Sequence, residues 1–272
     1  MGDSRRRSRR ASVIVAAEKR CIYCAASATT LEHMPPRSMF RGSARPSAME
    51  FGACEPCNSG TRGSDAVAAV MARLHPDGGT GSWQNKEIKN LISALDSRAP
   101  GVREEMSVPG KAVNDWVRPA NSDILRKVVR LHADGPRLKA HLTIFGAKLA
   151  MALYREHVGE PLPLDGAVWT QFALNGGITQ ENLDARVRIL PGYETLKQGS
   201  KNVFDQFAYR YNTDERTIVA AVAQFHSGLW FTMFATIDQR IIELFSKPAF
   251  LNLTGSGIVK SGGLLRLVPQ AD

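Results

Sequence analysis

The spacing of apolar and polar positions sorts the chain into helical and extended stretches. Residues 25–31 and 48–53 are short runs that predict two strands. Pro35 and Pro36 close the first, because proline supplies no ladder donor. Residues 11–19 fit a short helix or strand, and 37–47 read as a loop. The run Ala66-Val67-Ala68-Ala69-Val70-Met71 predicts the later part of a helix whose first turn holds Asn58, with the 60–63 stretch able to interrupt it. Ile88, Leu91, Ile92 and Leu95 share one face of a helix over 83–95. Residues 97–121 form an irregular connector, and 122–133 and 137–157 predict two more helices. The second carries Leu142, Phe145, Leu149 and Leu153 toward a core and has Gly159 as its C-terminal cap.

From Phe204 the period shortens to that of strands. Residues 204–211, 217–224 and 229–236 are rich in β-branched and aromatic side chains, with turn-like residues at 212–215 and 226–228. They predict three antiparallel strands, followed by a helix over 238–245 and a glycine-rich tail from Phe250 that suits edge strands or a loose end. The class is α+β. The glycine-rich break at 76–81 sets the first boundary, so the expected division is an arm at 1–17, a small domain at 18–76, a helix and linker at 77–121, and a larger α+β domain at 122–272.

Composition narrows the partners. The chain has 272 residues, 43% hydrophobic, enough for at least one packed core. The net charge of +9 is uneven: residues 1–20 hold seven basic side chains, Arg5, Arg6, Arg7, Arg9, Arg10, Lys19 and Arg20, against Asp3 and Glu18. Such a flexible basic arm suits a polyanion, nucleic acid being the commonest; a merely solvated tail is the plainer reading. No apolar run reaches the length of a membrane span. The apolar patch at 11–17 is too short for a signal peptide and runs straight into Glu18-Lys19-Arg20. Four cysteines in two Cys-x-x-Cys pairs, without such a signal, point to a reducing, cytoplasmic setting and to metal rather than disulfides.

Cys21/Cys24 and Cys54/Cys57 have the spacing of a closed four-thiolate zinc site. Metal binding would supply folding free energy that so short a segment cannot draw from a core. The rivals are two free-thiol turns or a redox pair, and a redox Cys-x-x-Cys usually comes singly. Glu32 and His33 sit between the two pairs, and Asn58 follows the last cysteine directly.

In order, the pattern Cys-x-x-Cys, Glu-His-x-Pro-Pro, Cys-x-x-Cys-Asn, Ser-Asp resembles the HNH endonucleases over about residues 18–72. The resemblance implies a ββα-metal domain, a hairpin packed on a helix. It also implies His33 as the general base, and Glu32 and Asn58 as ligands of a catalytic Mg²⁺ or Mn²⁺ beside the structural Zn²⁺. Two departures stand out: no asparagine occurs at 49–51, where the family has its central one, and Glu32 replaces the usual aspartate. Asp65 is open to a ligand role, but capping or a surface salt bridge fits it better.

The expected activity is therefore metal-dependent phosphodiester hydrolysis in nucleic acid, DNA above all, with Arg5, Arg6, Arg7, Arg9, Arg10, Arg37 and Arg62 gripping phosphates. Two rivals stay open: a non-catalytic zinc module that binds nucleic acid, and a nuclease gated by a partner or sensor function of residues 122–272, as in defence systems, with a homodimer as one form of partner.

Overall fold

The computed structural model describes residues 2–42, 44–74, 86–107, 113–117, 124–130, 133–174 and 180–270. The break expected at 76–81 and the side chains of Arg5, Arg6 and Arg7 lie outside the described residues.

The chain opens with α1 (Gly2–Ala17), then the hairpin β1 (Thr30–His33) and β2 (Glu50–Ala53), then α2 (Glu55–Gly60) and α3 (Arg62–Arg73). Next come α4 (Lys86–Arg98), α5 (Val102–Met106) and a ribbon of β3 (Val113–Val117) with β4 (Arg126–Arg130). The long α6 (Pro136–Val158) leads to β5 (Ala167–Leu174), α7 (Gln180–Arg188), β6 (Lys197–Gln198), β7 (Phe207–Thr213), β8 (Ile218–Phe225) and β9 (Leu229–Thr236). α8 (Gln239–Phe245), α9 (Pro248–Leu251) and β10 (Ser256–Lys260) complete the order. The α+β class holds.

Four local expectations are corrected. The stretch expected as an irregular connector at 97–121 carries the end of α4, the helix α5 and the strand β3. Residues 2–17 are a helix rather than a loose arm; its second half docks beside the hairpin, where Ile14 is half-buried near Phe51 and Arg10 pairs with Glu50 at 2.9 Å. The helix expected at 122–133 is β4: the β-branched pair Val128-Val129 favours extended backbone, and β3 supplies the ladder from Val113↔Arg130 to Val117↔Arg126. The three-stranded sheet is six-stranded, in the order β10-β5-β9-β8-β7-β6, antiparallel throughout. The three strands expected from 204 onward are present as β7, β8 and β9.

Side chains alternate across this sheet. On β8, Val219, Ala221, Ala223 and Phe225 face α6, while Ala220 and Val222 join Trp169, Phe234 and Phe245 on the other face. α7, α8 and α9 contribute to that second layer. α6 is buried on nearly every side, between the sheet and α3. Gly146 makes the close approach to the sheet possible: a methyl there would collide with Thr170 Oγ1 and Phe231. The apolar cluster on the α6 side is continuous with Cys21, Ile22, Met34, Phe51, Val67 and Met71, so the cysteine-bearing segment shares its core with α6 and the sheet. Among the described residues no helix is long and apolar enough to cross a membrane.

Candidate functional site

The hairpin is the element on which the site is built. Thr30↔Ala53, Leu31↔Gly52, Glu32↔Phe51 and His33↔Glu50 set its register. Gly52 is required where Glu18 and Ala28 cross the strand, since a Cβ there would meet Glu18 at 2.7 Å. Immediately before and after the hairpin lie the cysteine pairs.

The Sγ atoms of Cys21, Cys24, Cys54 and Cys57 all lie within 4.8 Å of one another. Cys24 Sγ is 3.6 Å from Cys54 Sγ and 3.6 Å from Cys57 Sγ. A tetrahedron with metal–sulfur bonds of about 2.3 Å has edges of about 3.8 Å, so the four thiols can hold one ion with little movement. They are mutually free of disulfides. The hydrogen bond from Cys57 holds Cys21 down to about 5, and burial lifts Cys24 to about 11. Arg20 secures the first knuckle: its guanidinium donates to the carbonyls of Cys21 and Cys24 at 3.0 Å and to Leu162 O at 2.6 Å.

Strand alternation sends Glu32 and His33 to opposite faces. Glu32 turns inward and is 3% exposed. There Lys148, fully buried on α6, stands 3.7 Å from Glu32 and 2.8 and 3.0 Å from the two oxygens of Asp65 on α3. Asp65 is thus neither a cap nor a surface pair but one end of a buried bridge. Two carboxyls share one ammonium. Burial drives both carboxyls upward against the pull of Lys148, and Glu32 reaches about 7. Among the described residues, Glu32 Oε2 and the Tyr23 hydroxyl, beside this cluster, are buried with no hydrogen-bond partner.

His33 turns outward and is about one-third exposed. Its Nδ1 is 3.4 Å from Glu50 Oε1, the residue opposite it in the register. Arg45 Nη1 lies 3.1 Å from one ring nitrogen and 3.2 Å from the other, which places the guanidinium over the ring rather than on a single lone pair. Arg45 also donates to Glu50 at 2.7 Å, and Arg10 approaches Glu50 at 2.9 Å from α1. Burial, helped by Arg45 and Arg10, lowers the His33 pKa, so the imidazole is neutral at pH 7.

Asn58 serves a third place. Its amide donates to Thr30 Oγ1 at 3.0 Å and Leu31 O at 3.2 Å, bracing β1 against α2. Hence the structure gathers His33, Glu50, Arg45 and Arg10 on one side of the hairpin, and Glu32 with Asp65 and Lys148 on the other. Arg9, Arg37 and Arg62 are exposed. Sequence reasoning missed Glu50, Arg45 and Lys148. Glu50 was within reach: it lies opposite His33 once the two cysteine pairs close the hairpin. No protein-family model, curated protein or solved structure matches this chain.

Proposed function

We propose that the chain is an endonuclease of the HNH type that hydrolyses phosphodiester bonds in nucleic acid. The observation that carries this reading is the outward group: a neutral imidazole, a carboxylate on its Nδ1 side and two guanidinium groups. Glu50 favours the tautomer with the proton on Nδ1, which leaves the Nε2 lone pair for a water molecule. The water oxygen bonds to phosphorus, its proton passes to His33, the bond to the leaving 3′ oxygen breaks, and that oxyanion takes a proton from solvent water. Arg45 and Arg10 offset the charge that grows on the phosphoryl oxygens. Arg9, Arg37 and Arg62 add phosphate contacts, which makes binding salt-sensitive.

The four thiols suit Zn²⁺ in a closed structural site, because soft sulfur ligands select it over hard cations. A catalytic Mg²⁺ or Mn²⁺ held by Glu32 and Asn58 does not fit this arrangement. Glu32 is 3% exposed, and Lys148 already supplies the positive charge beside it on the face of the hairpin away from His33. No step is routed through such an ion.

That burial of Glu32 away from His33 favours the second reading, a zinc-stapled module that binds nucleic acid without cutting it. A plasmid-relaxation assay separates the two. The wild-type protein nicks plasmid, and His33→Ala abolishes nicking with zinc content and plasmid binding nearly unchanged. Equal nicking by His33→Ala removes His33 as the base; binding without any nicking by the wild type leaves the second reading.

A further inference from the structure

A hollow of about 350 Å³ opens where the loop following His33 meets the sheet; Arg41, Phe204, Asp205, Gln224, His226 and Ser227 line it. It is held together by hydrogen bonds between three separate segments. The Arg41 N–H donates to Gln206 Oε1 at 2.6 Å, and the His226 N–H donates to Gln206 O at 3.0 Å. Behind them His226 Nε2 lies 2.7 Å from Met39 O, and Arg73 at the end of α3 is 3.1 Å from the same nitrogen. At the rim stands Phe204, 96% exposed. Its φ of +31° is a conformation that side-chain-bearing residues rarely adopt. A large aromatic ring held in water on strained backbone packs on nothing among the described residues; strain of this kind collects at sites that bind.

We infer that this hollow takes one unstacked nucleobase of a bound strand, with Phe204 stacking on the ring and Arg41 meeting the backbone phosphate outside. The inference rests on the nucleic-acid reading above and deepens it. The volume is at the small end of ligand sites and suits a single heterocycle. Asp205 and Arg41 are both exposed on the lining; the carboxylate repels a phosphate that the guanidinium attracts, which assigns the Asp205 side to the base and the Arg41 side to the backbone. A carboxylate acceptor also discriminates among bases: it receives the N4 amino group of cytosine and opposes O4 of thymine. Gln224 offers both a donor and an acceptor to the remaining edge.

Fluorescence anisotropy of the full chain, with its zinc and without magnesium, tests this on labelled oligo-dC and oligo-dT. The wild type binds oligo-dC more tightly than oligo-dT, and Asp205→Ala equalises the two. Phe204→Ala weakens oligo-dC binding roughly 5- to 150-fold, the range of one base-aromatic stack, and Phe204→Tyr restores it. Unchanged affinity in Phe204→Ala, or no binding of either probe by the wild type, overturns the inference. If the Phe204 dependence holds while plasmid stays uncut, the base pocket stands and the nuclease reading falls.

Discussion

Replacing Lys148 with methionine isolates the buried cluster behind the hairpin. Lys148 is fully buried between Asp65, at 2.8 and 3.0 Å, and Glu32, at 3.7 Å. Methionine keeps much of the volume and removes the charge, leaving two carboxyls in an apolar setting. Breaking a buried pair from one side costs about 3–5 kcal/mol. Domains hold only about 5–15 kcal/mol in total, so the loss is large. It also depends on pH, and the direction follows from the carboxyls. Glu32 titrates at about 7 in the folded protein against 4.5 in an unfolded chain. Between those values the native state holds the extra proton, so stability contributed by protonated Glu32 is complete below 4.5 and is lost as pH rises through 7. The span of that loss is about 3 kcal/mol, at about 1.4 kcal/mol per pH unit. Without Lys148 both carboxyls lean further toward their protonated forms, so the variant's deficit is larger at pH 8 than at pH 5.5. Urea unfolding followed by circular dichroism at the two pH values measures it. The triple variant Lys148→Met, Glu32→Gln, Asp65→Asn regains most of the stability at pH 8. A single Lys148→Met variant with the wild-type urea midpoint at pH 8 would refute the argument, because no buried charge would then have been left alone.

Native mass spectrometry should find one zinc ion per chain, and Cys57→Ser should lose it along with the cooperative unfolding transition, since three remaining thiols leave the tetrahedron open. The His33 pKa is lowered from 6.5 by burial and by Arg45 and Arg10, so the acid limb of a nicking pH profile lies below 6.5. Arg45→Ala moves that limb upward and Glu50→Gln moves it downward; a limb indifferent to both substitutions contradicts His33 as the titrating base. Gly146→Ala forces a methyl into Thr170 and Phe231 and should cost about 1–3 kcal/mol in the same urea assay, whereas Gly42→Ala, with nothing near its Cβ, pushes no neighbour aside and strains only its own backbone at φ +65°.

What the sequence disclosed follows from how local each feature is. The cysteine pairs, the two strands between them and the strands β7, β8 and β9 depend on spacing within about ten residues. β5 does not. It is buried on both faces, so Ala167–Leu174 lacks a polar alternation, and its neighbours β9 and β10 lie far along the chain. The ribbon strand β4 reads as helical from its own residues, because its partner β3 supplies the pairing that decides it. Lys148 left one unused signal: a lysine inside Ala147-Lys148-Leu149-Ala150, on a helix apolar all round, must be paired with a buried acid. Its partners, Glu32 and Asp65, come from a segment more than eighty residues earlier, and spacing cannot connect them.

The position of Glu32 matters to His33 even though the two never act on the same group. β1 has four residues and a single neighbouring strand, so its ladder alone fixes it poorly. Turning such a strand about its axis would carry His33 away from Glu50. Three contacts oppose that turn: the thiol cluster flanking the hairpin, the Asn58 amide on Thr30 and Leu31, and the inward pull of Lys148 on Glu32. Because neighbouring side chains on a strand point to opposite sides, holding Glu32 inward holds His33 outward. The glutamate that the family pattern assigns to a metal is then the anchor that aims the histidine. Glu32→Gln keeps the shape of that anchor and should spare nicking, while Glu32→Ala releases it and should lower the rate with the His33 acid limb displaced. Equal rates in the two variants would detach the anchor from the base.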